Sequence, residues 1–207
     1  MKEEKIISYW SDMYSKPNVF GTGPTKLAKI ANDLIYDKSI KNILEIGCGQ
    51  GRDSIFFAEQ GYSIETFDIS ENAIKFVNKT KKSSNLKNLN AIVHDVMEPF
   101  SYPNNFFHFV YSNLALQFFD IDSLKKIFNN IYRVMIKEST ILFSTKKKGD
   151  KYYNFGTKIS TDATSSFFTL HMNGFEPERY YEIILKTEIG KEVSILEDNY
   201  YFKIING

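Results

Sequence analysis

The hydrophobic positions along this chain alternate between two spacings, and the alternation predicts strands and helices in turn. Short apolar runs predict five strands, at residues 42–46, 63–70, 89–95, 106–113 and 139–145. Apolar side chains three and four residues apart predict helices at residues 24–39, 53–61, 70–82 and 122–135. Such regular alternation implies right-handed crossovers, and so predicts an α/β fold with a parallel, doubly wound sheet.

The end of the chain has a different pattern. Residues 177–187 predict a helix, and residues 192–198 and 200–206 predict two strands with almost no connection between them. Strands joined so tightly can only be antiparallel neighbours, so a hairpin is expected at one edge of the sheet. No linker rich in Pro, Gly or Ser divides the sequence, and we expect a single domain over residues 1–207.

Composition narrows the class of protein. Of the 207 residues, 43% are apolar and 15% aromatic, which is enough for a sizeable core. The net charge of +1 lacks the basic excess typical of proteins that bind nucleic acid. The sequence shows neither a signal-peptide core nor a membrane-spanning run, and its single cysteine, Cys48, fits a reducing compartment. We therefore expect a cytoplasmic protein without a nucleic-acid or membrane partner.

The segment "EIGCGQGRDS" (45–54) joins the first predicted strand to the following helix. Gly47, Gly49 and Gly51 alternate in it, so the third glycine comes one residue earlier than in the dinucleotide pattern G-x-G-x-x-G. Ligands of doubly wound sheets bind at the carboxyl ends of the strands, and glycines there permit close approach to the backbone. The turn therefore predicts a ligand site.

The pattern E-x-G-x-G-x-G after the first strand resembles the opening motif of class I methyltransferases that use S-adenosylmethionine. The resemblance implies a Rossmann-like, mostly parallel seven-stranded sheet with a C-terminal antiparallel hairpin. It also implies that Asp68 accepts hydrogen bonds from the ribose hydroxyls and Asp95 from the adenine amino group, since carboxylates offer two acceptor oxygens. Either acid could instead only cap the segment that follows it.

The resemblance implies a set of residues that bind S-adenosylmethionine and, after transfer, S-adenosylhomocysteine. They are Glu45, Gly47, Cys48, Gly49, Gly51 and Arg52 in the turn; Asp68 and Ile69; Asp95 and Val96; Ser112 and Asn113; and Tyr9, Trp10 and Tyr14 near the N-terminus. No cluster of His and Cys has the spacing of metal ligands, and we predict no metal site.

Two further resemblances bear on the substrate. Residues 9–24 and 143–159 are similar to parts of small tellurite-resistance-type methyltransferases, which act on thiols and metalloid oxyanions. This implies an N-terminal lid (1–24), a cofactor core (40–145) and a substrate-side insertion (146–178). The family's His-Arg pair is incomplete, because Met172 follows His171, which weakens the expectation of an oxyanion. Residues 111–119 are similar to malonyl-carrier-protein methyltransferases.

The predicted function is in-line transfer of a methyl group to a small-molecule nucleophile: a thiol, oxyanion, amine or carboxylate. His171 and Gln117 are the candidate catalytic residues, although Gln117 could simply begin the next helix. His94 and His108 are interpreted as packed or surface residues inside strands. Three alternatives stay open: a nucleic-acid methyltransferase, a carboxyl methyltransferase acting on a carrier-bound acid, and a non-catalytic binding protein. The sequence does not indicate an oligomeric state.

Overall fold

The computed structural model describes residues 2–35, 40–144, 192–196 and 201–205. The predicted helix at 177–187, the predicted insertion at 146–178 and His171 lie outside these residues. The chain divides into two compact units, Met1–Glu98 with Phe107–Tyr111, and Pro99–Phe106 with Ser112–Gly207. The two units are described separately.

The first unit is a parallel sheet with helices. Its elements are α1 (Lys2–Met13), α2 (Lys26–Ile35), β1 (Asn42–Ile46), α3 (Arg52–Glu59), β2 (Ser63–Asp68), α4 (Glu71–Ser83), β3 (Leu89–Val93) and most of β4 (Phe107–Asn113). The strand order is β3-β2-β1-β4, and all three pairings are parallel. This confirms the predicted α/β class and the parallel pairing of the first four strands.

The strands of the first unit are mostly apolar because their side chains are buried. In the central strand, Ile43 pairs in register with Ile64 on one side and Phe109 on the other, and all three side chains are buried. An apolar run without polar alternation is what a strand covered on both faces requires. At the start of α4 the Ser70 side chain accepts a hydrogen bond from the Ala73 amide at 3.2 Å, and Ser70 is therefore the N-cap of this helix.

Among its described residues, the second unit contains one long helix and the antiparallel strands. A short 3-10 helix (Leu116–Phe118) precedes α5 (Ile121–Val134), β5 (Met135–Ser144), β6 (Glu192–Leu196) and β7 (Tyr201–Ile205). β7 pairs antiparallel with both β5 and β6. The predicted apolar stripe of α5 is buried, and Phe128 packs edge-on against Phe143 with ring centroids 5.7 Å apart.

Two sequence-based predictions need correction. β3 ends at Val93, so His94 lies after the strand instead of inside it; its amide donates to the Asp68 carbonyl at 3.1 Å. β5 begins at Met135, four residues before the predicted start, and accommodates Glu138 at φ +63°. Within the predicted lid, residues Lys2–Met13 form helix α1. Within the described residues, no helix combines the length and the apolar character needed to cross a membrane.

Candidate functional site

The glycine turn lies directly after β1 and is held by the backbone of the neighbouring strand. The Gly47 and Cys48 amides both donate to the Phe67 carbonyl, at 3.0 and 3.1 Å. Gly47, Gly49 and Gly51 have φ values of +73°, +52° and +73°, in the left-handed region that side chains disfavour. The sequence therefore needs glycine at alternate positions, because three residues before α3 have positive φ angles that other residues rarely adopt.

Protein side chains fill the space beside two of these glycines. A Cβ atom on Gly49 would lie 2.7 Å from the Tyr14 hydroxyl oxygen, and one on Gly51 would lie 2.6 Å from a methyl carbon of Val77 in α4. The sequence-based interpretation assigns this space to a ligand. In the structure, Gly49 lets Tyr14 approach, and Gly51 lets α4 pack closely.

Asp68 ends β2 beside the glycine turn. One carboxylate oxygen accepts from the Gly49 amide at 2.8 Å and the other from the Ser70 amide at 2.9 Å. Burial raises the pKa of Asp68, and the two amide hydrogen bonds oppose that rise. A carboxylate can accept about four hydrogen bonds, so acceptor capacity remains for a ligand with two hydroxyl groups.

The residues predicted to contact adenine follow β3. Asp95 accepts from the Met97 amide at 2.9 Å, and His94 links its loop to the end of β2 through the Asp68 carbonyl. The His94 ring packs edge-on against Phe67, with centroids 5.1 Å apart. Asp95 therefore has the capping role that the sequence left open, and Ile69 and Val96 are half-buried beside these two loops.

The N-terminal aromatic residues form a connected series above the turn. Trp10 stacks on Tyr14 with centroids 5.7 Å apart and touches Tyr9 edge-on at 5.3 Å. Burial, followed by the charge of Asp68, raises the pKa of the Tyr14 hydroxyl well above its ordinary value. The hydroxyl is therefore a protonated donor near the Asp68 carboxylate. The Arg52 guanidinium, predicted to bind the cofactor, donates to main-chain carbonyls of Phe20 and Gly23.

Two further carboxyl groups lie buried behind the turn. Glu45 accepts a hydrogen bond from the Ser54 hydroxyl. Asp53 accepts from the Thr25 amide, the Thr25 hydroxyl and the Tyr111 hydroxyl, each at 2.7 Å. Sequence reasoning named Glu45 but missed Asp53 and its partners; the available signal was an acid in the first turn of α3, where it is favoured near the helix N-terminus.

The surroundings of the turn are acidic. Burial raises the pKa of Glu45 well above its ordinary value, and the charge of Asp53 adds to the effect. Burial also raises the pKa of the Cys48 thiol, with contributions from Asp68 and Glu45. A ligand with positive charge would offset part of this repulsion. S-adenosylmethionine fits in two respects, since its sulfonium and ammonium groups are cationic and its ribose offers two hydroxyl donors to Asp68.

The other predicted site residues belong to the second unit. Ser112 is buried at the end of β4, and the Asn113 side-chain oxygen accepts from the Ser144 hydroxyl. Gln117 is buried in the short 3-10 helix, which ends before α5 begins. Leu114, which follows Asn113 in the sequence, adopts φ +59°. No group of three His, Cys, Asp or Glu side chains among the described residues could hold a metal ion.

The sequence matches a known family model over the part of the chain that carries the turn. Residues 43–138 match the model described as a methyltransferase domain. The matched range begins in β1 and ends in β5, so it includes Asp68, Asp95 and Asn113. It omits the N-terminal segment that packs on the turn.

Two curated proteins and one solved structure extend the comparison. "Probable S-adenosyl-L-methionine-dependent methyltransferase TehB" of Haemophilus influenzae is 32% identical over 89 residues, 43% of this chain and 30% of that protein. Malonyl-[acyl-carrier protein] O-methyltransferase of Salmonella typhimurium is 25% identical over 118 residues, 56% of this chain and 43% of that protein. The chain therefore aligns with less than half the length of either relative.

The solved structure is phosphoethanolamine N-methyltransferase 2 of Haemonchus contortus in complex with S-adenosyl-L-methionine. It superposes with a TM-score of 0.69 at 20% identity, over 90% of this chain and 46% of that one. At this identity the likeness concerns the fold alone.

Proposed function

We propose that the protein is a class I methyltransferase that uses S-adenosylmethionine and transfers its methyl group to a small-molecule nucleophile; the match of residues 43–138 to a methyltransferase domain supports this. The acceptor atom would be the sulfur, oxygen or nitrogen of a thiol, oxyanion, carboxylate or amine. The nucleophile attacks the methyl carbon as the carbon–sulfur bond breaks, and S-adenosylhomocysteine leaves.

The observation that carries the proposal is the position of Asp68. Its carboxylate is buried at the end of β2, is fixed by the Gly49 and Ser70 amides, and keeps acceptor capacity next to a left-handed glycine turn. This arrangement supports binding of a ribose by its two hydroxyl groups. Asp95, Val96, Ser112 and Asn113 complete the proposed set of cofactor contacts.

The cofactor supplies an activated methyl group, so little further chemistry is required of the protein. Alignment of the nucleophile and exclusion of water account for most of the acceleration expected in such a displacement. A general base is needed only where the nucleophile arrives protonated. His171 and Gln117 stay the candidates for contact with the acceptor.

The small-molecule class rests on the resemblance of residues 9–24 and 143–159 to small tellurite-resistance-type methyltransferases. The printed name of the Haemophilus influenzae relative supports only the use of S-adenosylmethionine. The Salmonella typhimurium match favours a second candidate, a carboxylate presented on a carrier protein. We further propose a seven-stranded sheet with a C-terminal antiparallel hairpin, and that the protein acts in the cytoplasm without a nucleic-acid partner.

An acceptor screen tests the proposal. The protein is incubated with S-adenosylmethionine and one member of each acceptor class, including a malonyl group on a carrier protein, and release of S-adenosylhomocysteine is measured. We expect one class to stimulate release in the wild type and not in Asp68→Ala. Stimulation only by RNA or DNA, lost between about 50 and 200 mM salt, would instead assign the protein to the nucleic-acid methyltransferases.

A further inference from the structure

The segment of residues 14–25, called the strap below, is fastened to the glycine turn by side chains of the turn itself. The first of these is Gln50, which lies between Gly49 and Gly51. Its amide oxygen accepts from the Val19 amide at 3.0 Å, and its amide nitrogen donates to the Lys16 carbonyl at 2.7 Å. Both ends of one side-chain amide are thus used to hold the same stretch of the strap.

Arg52 holds the next part of the strap. Its Nε atom donates to the Gly23 carbonyl at 2.7 Å, and a terminal guanidinium nitrogen donates to the Phe20 carbonyl. The guanidinium is a rigid, planar fork, so two such bonds fix the direction of the strap as well as its distance from α3. The strap ends at Thr25, which Asp53 anchors through two hydrogen bonds of 2.7 Å.

The strap determines where Tyr14 lies. The Tyr14 hydroxyl oxygen lies 2.7 Å from the position that a Cβ atom on Gly49 would have, which is too close for both atoms to be present. Before the strap, the Asn72 side chain donates to the Ser11 carbonyl at 2.9 Å and fixes the end of α1 to α4. Tyr14 is therefore held from both sides, above the same glycine whose amide binds Asp68.

The hydrogen bonds of Gln50 to Lys16 and of Arg52 to the strap are exposed to solvent. Exposed hydrogen bonds contribute little to folding because water replaces them when they break. Their main effect is thus on the position of the strap. A strap that is already ordered lowers the entropy cost of binding a ligand beside it. Affinity differences between variants of one site appear mostly in the dissociation rate.

We propose that Gln50 and Arg52 are positioning residues for the cofactor. They hold the strap against the glycine turn so that Tyr14 forms one wall of the site beside Gly49 and Asp68. The strap thereby sets how long S-adenosylmethionine and S-adenosylhomocysteine stay bound. This goes beyond the predicted lid, because it assigns the closing contacts to two residues of the turn.

The test measures the dissociation rate constant of S-adenosylhomocysteine by stopped-flow displacement. Arg52→Ala and Gln50→Ala should each raise it about threefold to tenfold, because the strap leaves the turn more often once its two hydrogen bonds to that side chain are lost. Arg52→Lys should recover only part of the effect, because an ammonium group lacks the fork that reaches two carbonyls. No methyl acceptor is involved, so the outcome is independent of the proposed substrate class.

Arg133 provides a matched control in the second unit. Its guanidinium donates to the Phe100 and Tyr102 carbonyls, at 2.7 and 2.8 Å, so it makes the same kind of contact away from the strap. Arg133→Ala should lower the melting temperature without changing the dissociation rate. This separates a positioning role from a general loss of stability.

The strap itself has two direct reporters. Trp10 is the single tryptophan and stacks on Tyr14, and Phe20, followed by Gly21, is an exposed chymotrypsin site within the strap. In Arg52→Ala, Trp10 emission should shift and chymotrypsin cleavage after Phe20 should accelerate, whereas Arg133→Ala should change neither. The proposal fails if Arg52→Ala and Gln50→Ala leave dissociation within about twofold of the wild type, or if Arg133→Ala raises it equally.

Discussion

Replacing Gly51 with alanine tests whether helix packing, in addition to backbone conformation, requires glycine in the turn. The new methyl group would lie 2.6 and 3.2 Å from the two methyl carbons of Val77, whose side chain is fully buried in α4. Valine is stiff in a helix and cannot rotate away. We therefore expect a cost from overpacking added to the cost of the backbone angle.

The expected loss in the free energy of unfolding has these two parts. A left-handed conformation costs a residue with a side chain roughly 1–2 kcal/mol, and overpacking a filled core costs about 1–3 kcal/mol. Gly51→Ala should therefore lower the free energy of unfolding by about 2–5 kcal/mol. Gly61→Ala is the matched control, because Gly61 has φ +93° and nothing within 4 Å of its Cβ position, so it carries the first cost alone.

Urea unfolding of the single variants and of Gly51→Ala/Val77→Ala completes the test. Shortening Val77 removes the clash, so the double variant should be more stable than the sum of the single changes by about 1–3 kcal/mol. If Gly51→Ala costs no more than Gly61→Ala and shows no coupling to Val77, the packing explanation is wrong.

Two other predictions concern the carboxyl groups. Asp68→Ala should weaken S-adenosylhomocysteine binding about tenfold or more, because the acceptors for the ribose hydroxyls are lost; titration calorimetry measures this, and unchanged affinity would contradict the ribose assignment. Burial raises the pKa of Glu45, so the folded chain retains a proton that the unfolded chain releases, and stability falls as pH rises from the ordinary pKa through the raised one. Glu45→Gln retains an acceptor for Ser54 and should remove that fall in urea unfolding between about pH 5 and 8; an equal slope in both proteins would place the titration elsewhere.

The elements that sequence predicted well are those set by local signals. β1 has the predicted bounds, because its apolar run is buried on both faces and the glycine turn ends it sharply. The start of α4 was also predictable, since Ser70 is a strong helix N-cap and its side chain makes the capping bond.

β5 shows where local signals fail. Met135 ends α5 and begins the strand without a loop, and the polar run that follows it indicates a connection instead of a strand. The pairing with β7 runs from Thr140, opposite Ile205, to Ser144, and these residues lie within the predicted strand. The earlier residues were missed because their polar side chains lack the apolar pattern of a buried strand.

Part of the site was predictable, because it lies at strand ends that local signals locate. Asp68 and the glycines follow strands, and the parallel sheet brings those strand ends to one edge. The strap contacts were not predictable, because Gln50 and Arg52 bind main-chain groups about thirty residues away. Every residue has a carbonyl, so no residue pattern marks these partners.

Because Cys48 is buried, the labelling of its thiol can report local opening of the glycine turn. It is the single thiol of the chain, lies between two glycines of the turn, and has a pKa raised by burial. The cysteine thiolate is the nucleophile that adds to a maleimide reagent, so modification requires local opening that exposes the thiol and lets it ionise. The labelling rate of the unmodified protein therefore measures how often this turn opens, and an exposed cysteine introduced elsewhere could carry a fluorophore without removal of the native one.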